Sequence, residues 1–326
     1  MTTYKEIHGT NIEVVSSDPS NPVSGQIWYN TTSNTLKAHI NNPGSYVTGA
    51  GLNTGRSGVG GAGANYTTAL CFGGYSGGYS ALAETWNGTS WTAVNPSNVS
   101  GYQAAGAGIQ TAALKFGADL GPPGKSDSTE TFNGTNWTAV SPLNLARAAL
   151  GGAGVTNTAA LAVAGNIPPT QSATEKWNGS SWTTVNPLNV ARFGGGCCGS
   201  NTAALYWGGN TNPPIRAFTE SWNGTNWTEI ANMNSARGEG AGVGTQTSAL
   251  QMGGIGPGAS PYNLTESWNG SAWTEVAPML AANRYNNAGA GASNAAAISF
   301  GGGPVTPAPA TEIWNAGLQT NTFDVS

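Results

Sequence analysis

Six glutamates and five arginines recur along this 326-residue chain at nearly constant spacing. Glu84, Glu130, Glu175, Glu220, Glu266 and Glu312 lie 46, 45, 45, 46 and 46 residues apart, and Arg56, Arg147, Arg192, Arg237 and Arg284 follow the same period with one copy missing. A pair of carboxylates is the usual machinery of general acid–base chemistry. Catalysis, however, normally breaks the symmetry of a repeat, and these side chains stand in nearly every copy. Of the 11 Lys and Arg and 15 Asp and Glu in the chain, eleven occupy these positions. The expectation is therefore structural: each Glu bonds strand or turn N–H groups, or a repeat Arg, between repeat units.

Other chemistries find little to work with. Both histidines, His8 and His39, precede the repeats, so no Ser-His-Asp or Cys-His set can be built within them. Cys71, Cys197 and Cys198 are odd in number, form no CxxC pattern and fall in predicted strands as small apolar residues. His/Cys clusters for a metal are lacking, and Asp119 with Asp127 in one loop is the nearest approach to a calcium site. No sialidase-type Asp box is visible. The reading is of a non-enzyme with no catalytic residue, metal or cofactor. A net charge of −4 with only 8% charged residues leaves no basic footprint for nucleic acid. Without an apolar leader or a run long enough to span a bilayer, the chain is expected to be made in a cytoplasm without a signal peptide or membrane insertion.

The elements that must carry these residues are hairpins. Ten of the twelve tryptophans sit at two repeat positions, Trp86, Trp177, Trp222, Trp268 and Trp314 at the first and Trp91, Trp137, Trp182, Trp227 and Trp273 at the second. Asn-Gly between them, as in Asn223-Gly224, is a strong hairpin signal, because a type I′ turn needs positive φ at both central residues. A two-residue turn there pairs Trp222 with Thr225 and Glu220 with Trp227, which puts Glu220, Trp222 and Trp227 on one face with the indoles diagonal. Each buried indole contributes about 1.5–3 kcal/mol. Asn87-Gly88-Thr89 and its four counterparts match the N-glycosylation pattern, but turn chemistry explains them.

Each unit holds four strand-like runs. The first follows the Arg and is nearly all Gly and Ala, as in Arg147-Ala148-Ala149-Leu150-Gly151-Gly152, which suits strands converging on an axis. The second ends in a Gly pair such as Gly208-Gly209, and the third and fourth are the arms of the Trp hairpin. A period of this size means a solenoid, a propeller or an array, and four strands in each of six units predict an all-β, six-bladed propeller over residues 44–326. The second Trp precedes the next Arg by 10 residues for Trp137/Arg147, Trp182/Arg192 and Trp227/Arg237. Counting 10 back from Arg56 lands on Tyr46, so residues 44–49 are expected to supply the outer strand of the last blade and close the ring. Residues 320–325 are the competing candidates. Residues 1–43 form a separate segment, with a hairpin around Asn30-Thr31-Thr32-Ser33-Asn34.

With a Gly pair, a Glu-x-Trp, a second Trp and an Arg in each unit, residues 44–316 resemble kelch-type propellers. Blade 2 departs, with Phe132 for the first Trp, Gly117-Ala118 for the Gly pair and Gly101 near the Arg position; blade 3 has Ala164-Gly165. The segment Gly25-Gln26-Ile27-Trp28-Tyr29-Asn30 with Leu36-Lys37 resembles a short motif near the start of bacteriophage tail-fibre and appendage proteins. The wording of the repeats, such as Asn189-Val190-Ala191-Arg192, is similar to that of propeller repeats in marine bacteriophage structural proteins. The resemblance implies a virion component that meets the host surface, with residues 1–43 joining other virion proteins and a homo-oligomer as one arrangement.

Connections between strands two and three differ in every blade, whereas the other turns barely change. Loops on a rigid scaffold are where binding tends to reside. Tyr75, Tyr79, Lys125, Arg216, Phe218 and Tyr262 are the candidate ligand-binding residues there, and aromatic rings beside polar groups suit a glycan. The functional expectation is a receptor-binding tail fibre or appendage. A capsid-decorating protein without a receptor and a free propeller lectin are the alternatives.

Overall fold

A computed structural model describes residues 12–323 apart from 21, 24, 123, 283 and 304–307; His8 lies outside the described residues. The chain divides into two compact units, Ser45–Trp314 and a smaller one that joins Met1–Gly44 to Asn315–Ser326. Residues 315–326, assigned to the propeller from sequence, thus group with the N-terminal segment.

The larger unit is a closed ring of six four-stranded antiparallel blades. Blade 1 is Gly60–Asn65, Thr68–Phe72, Ala83–Trp86 and Trp91–Val94; blade 2 is Ala105–Ile109, Ala112–Asp119, Lys125–Phe132 and Trp137–Val140. Blade 3 is Gly151–Thr156, Ala159–Gly165, Gln171–Trp177 and Trp182–Val185; blade 4 is Gly196–Gly199, Ala204–Trp207, Thr219–Trp222 and Trp227–Ile230. Blade 5 is Ala241–Thr245, Ser248–Ile255, Pro261–Trp268 and Trp273–Val276. Blade 6 takes Ala288–Ser293 and Ala296–Phe300, then residues 311–314 of the strand Thr311–Phe323, and finally residues 45–49 of the strand Thr35–Gly49. The N-terminal strand therefore completes the last blade, as the Arg56 register predicts.

First strands touch their neighbours all the way round, blade 6 against blade 1 included. Their Gly and Ala composition has a steric cause: a Cβ on Gly106 would stand 2.2 Å from the Gly61 carbonyl oxygen of the adjacent blade. The Gly pair has a conformational one. Both members take positive φ at Gly73-Gly74, Gly208-Gly209, Gly253-Gly254 and Gly301-Gly302, a region costly for side chains with a Cβ. Blade 3 accepts that cost at Ala164, whose φ is 62°. The second member of each pair sends its N–H to the carbonyl at the Arg position of the next blade, from Gly74 to Gly101 at 2.7 Å round to Gly302 to Arg56 at 2.9 Å.

The Trp hairpin departs from the two-residue turn. Trp222 pairs directly with Trp227 and Glu220 with Glu229, so the turn has four residues and the indoles lie opposite each other, 5.3 Å between centroids. The reason is the Asn side chain. Asn223 Oδ1 accepts the Thr225 and Asn226 N–H groups at 3.0 and 2.8 Å, an Asx arrangement needing positive φ only at Gly224. Glu220, Trp222 and Trp227 still share a face.

Second-position tryptophans stitch blade to blade. Trp91, Trp182, Trp227 and Trp273 donate their indole N–H to Thr311, Thr129, Thr174 and Thr219 of the preceding blade at 2.9–3.1 Å. Blade 1 carries Ala83 in that column, and Trp137 turns instead to the Asn95 carbonyl at 3.1 Å.

In the smaller unit, Ile27–Asn30 pairs antiparallel with Thr35–Ala38, and Glu13–Val15 runs parallel to Trp28–Asn30. Asp18 gathers this unit. It accepts from Trp28 Nε1 at 3.0 Å and Asn30 Nδ2 at 2.7 Å and meets Lys37 Nζ at 2.6 Å.

Candidate functional site: the loop face and the axial mouth

The repeat charges are consumed inside the scaffold. Arg56 meets Glu84 at 2.7 Å, Arg192 meets Glu220 at 2.5 Å and Arg237 meets Glu266 at 2.5 Å, and Arg147 meets Glu175 in the same way. All of these side chains are buried. Each pair is internal to a blade and does not cross between two, because the Arg leads into the first strand and the Glu sits on the third strand of the same sheet. The carboxylate also clasps the connector arriving from the previous blade: Glu220 Oε2 accepts both the N–H and the side-chain amide of Asn189, at 2.8 and 2.7 Å. The backbone N–H groups of Asn53, Asn98, Asn144 and Asn234 donate in the same way to Glu84, Glu130, Glu175 and Glu266. In blade 6, Glu312 accepts the Leu280 and Ala281 N–H groups, while Arg284 donates to the Ala310 carbonyl. Desolvation by burial holds the guanidinium pKa of Arg147, Arg237 and Arg284 below the ordinary value.

Blade 2 replaces the missing arginine from another strand. Lys115, on its second strand, reaches Glu130 at 3.2 Å and Ser97 Oγ at 2.8 Å, and also donates to the Val99 carbonyl. The side chain is fully buried, and desolvation pulls its pKa down against the pull of Glu130. Sequence inspection centred on the Arg column misses it; a lone lysine in an apolar second strand is the available signal.

The second-to-third-strand loops open on the same face as the residues that enter the first strands. Ser57 bridges Tyr75, Tyr102 bridges Asp119, Ala148 bridges Asn166, Phe193 bridges Asn210 and Gly238 bridges Ile255. The predicted side chains fall into separate groups on this face. Tyr75 and Tyr79, 38% and 41% exposed, meet edge to face at 5.8 Å. The Tyr79 ring lies over Gly121 of blade 2, whose N–H is held by Asp119 Oδ1, and Asp119 in turn pairs with Lys125 at 2.5 Å. Arg216 lies over the Phe218 ring at 5.3 Å in blade 4. Tyr262, in blade 5, packs its ring on Gly256. Asp127 is exposed and makes no bond to Asp119, and among the described residues no three His, Cys, Asp or Glu converge as a metal would require.

At the centre of this face is a feature the loop comparison overlooks. Gly58, Gln103, Ala149, Gly194, Glu239 and Asn286, two residues past each Arg position, all take positive φ of 50–66°. Each N–H donates to the carbonyl of its counterpart one blade back: Gln103 to Gly58, Ala149 to Gln103, Gly194 to Ala149, Glu239 to Gly194, Asn286 to Glu239 and Gly58 to Asn286, at 2.5–3.1 Å. Six peptide groups thus form an unbroken hydrogen-bonded ring around the axial mouth. Gln103 Nε2 also donates to Asn286 Oδ1 at 3.0 Å. Glu239 supplies the single charge of the ring, and burial raises its carboxyl pKa. The readable signal was the break in symmetry within this column.

No protein-family model and no curated protein matches the chain. Among solved structures, that of YjhT superposes with a TM-score of 0.66 at 12% identity, covering 84% of this chain and 99% of that one. The likeness is one of fold. It agrees with the propeller read from the strand order, and at that identity it carries nothing about ligand or chemistry.

Proposed function

We propose that this propeller is a non-enzymatic surface-binding component of a phage particle, kelch-like in its repeats, whose loop face recognises a host glycan. The observation that carries the reading is the exposed Tyr75–Tyr79 pair on a scaffold that otherwise repeats. Two aromatic rings and two phenol groups offer stacking to the C–H face of a sugar and hydrogen bonds to its hydroxyls. The repeat carboxylates support a non-catalytic role, since each is bound to a buried cation or to connector N–H groups. The phage assignment rests on the resemblance of residues 25–37 and of the repeat wording to virion proteins. The smaller unit, compact in its own right, suits attachment to other virion proteins.

A glycan array on the purified protein tests the reading. Binding that is lost in Tyr75→Ala and retained in Glu229→Gln supports it, and an array without signal in wild type overturns the glycan assignment. Copy number in the purified virion separates a fibre, with a few to dozens of copies, from capsid decoration, with hundreds.

A further inference from the structure

Of the described carboxylates with no hydrogen bond or ion pair, Asp127, Glu229 and Glu275 are exposed and only Glu239 is half-buried. It lines both the axial mouth and a second cavity of about 320 Å3, formed between the loops of blades 4 and 5. Pro213, Pro214, Ile215, Ile255 and Pro257 wall that cavity. Its size is at the lower end of the roughly 300–1,000 Å3 of small-molecule sites. The walls are fixed by backbone: Ile255 exchanges both of its hydrogen bonds with Gly238, at 2.7 and 3.0 Å, and Asn210 does the same with Phe193.

A carboxylate partly withdrawn from water without a partner loses hydration, and an opposite charge brought to it recovers that cost. A divalent metal does not fit the donor set, since calcium takes about 6–8 oxygens and beside Glu239 the lining offers one further polar side chain, Asn210, whose Oδ1 already accepts the Asn212 N–H. Apolar walls ending in one anion match a cationic head on an aliphatic stem. We propose that Glu239 and the cavity between the blade 4 and blade 5 loops form a binding site for an organic ammonium group, carried by an amino sugar or by a lysine side chain. The site stands on its own geometry, apart from the tyrosine pair and whether or not the glycan reading holds.

The probes are glucosamine and Nα-acetyl-lysine amide, with glucose and Nα-acetyl-norleucine amide as uncharged counterparts, titrated by isothermal calorimetry and saturation-transfer NMR. At least one ammonium compound is expected to bind 10-fold or more tighter than its uncharged counterpart, and more weakly as salt rises. Glucosamine alone assigns a carbohydrate source, the lysine derivative alone a protein source, and both together the shared chemistry. Glu239→Gln, which touches no partner, should fold normally and lose 10-fold or more in affinity. Ile215→Trp, which fills the cavity but keeps the carboxylate, should lose binding as well. No binding by either ammonium compound, equal binding by the uncharged counterparts, or unchanged affinity in Glu239→Gln overturns the proposal. None of these outcomes depends on the glycan array or on Tyr75.

Discussion

Tyr46 and Thr265, 219 residues apart in sequence, share a hydrogen bond of 2.8 Å between their hydroxyls. Tyr46 holds the place that a second tryptophan holds in the other blades: it packs on Trp314 at 5.0 Å and reaches the Thr of the preceding blade. The ring is thus latched by one chain end performing the job of a missing repeat residue. Burial raises the Tyr46 phenol pKa, which keeps the hydroxyl neutral.

Tyr46→Phe keeps the ring contact and removes the hydroxyl, and should cost about 0.5–1.5 kcal/mol. Tyr46→Ala removes the contact as well and should cost about 3–5 kcal/mol, the range for truncating a large buried aromatic. Urea denaturation followed by tryptophan fluorescence gives both numbers.

Removing one partner of a buried ion pair leaves the other charge uncompensated, at about 3–5 kcal/mol. Glu220→Gln strands Arg192, and Lys115→Met strands Glu130, so both should fall in this range. Glu229→Gln, exposed on the outer strand, should change stability by less than about 0.5 kcal/mol. Equal urea midpoints for Glu220→Gln and Glu229→Gln would show that the repeat carboxylates are not structural.

Asp18 links pH to the smaller unit. The Lys37 ammonium, then the Trp28 indole N–H and the Asn30 amide, hold its carboxyl down to about 2. A depressed carboxyl contributes stability above the unfolded value, near about 3.9, and loses it as pH falls toward 2. The Trp28 indole N–H resonance should stay constant from pH 7 to 5 and shift between pH 4 and 2. In Asp18→Asn that shift should vanish.

Burial pushes the Cys71 and Cys197 thiols up to about 12, and Cys198 well above its ordinary value. Thiolate is the reactive form. A disulfide-exchange reagent at pH 8 should therefore label none of the three in the native protein and all three in 6 M guanidinium.

Much of the scaffold is written in the sequence because each blade must solve the same packing problem. The Glu, Trp and Gly columns fix strand order, blade number and even Tyr46, since a register counted from Arg56 carries around the ring. The turn register was hidden, because Asn223 closes its turn with a side chain that a two-residue Asn-Gly reading ignores. Lys115 was hidden because its Nζ reaches Glu130 from a neighbouring strand, so compensation in space left no trace in the Arg column. Glu239 was hidden because its significance comes from the convergence of six first strands, which no single repeat displays. The candidate loop residues are the reverse case: visible one by one, they are distributed over several blades.

Two truncations that differ by only six residues test the closed ring most directly. Deleting residues 1–43 leaves 44–49 to complete blade 6, whereas deleting 1–49 removes that strand and Tyr46 with it. The first protein should keep the cooperative urea transition of the ring, and the second should lose it or shift it down by several kcal/mol, beyond the about 3–5 kcal/mol of Tyr46→Ala alone. Coincident transitions for the two would contradict closure by the N-terminal strand.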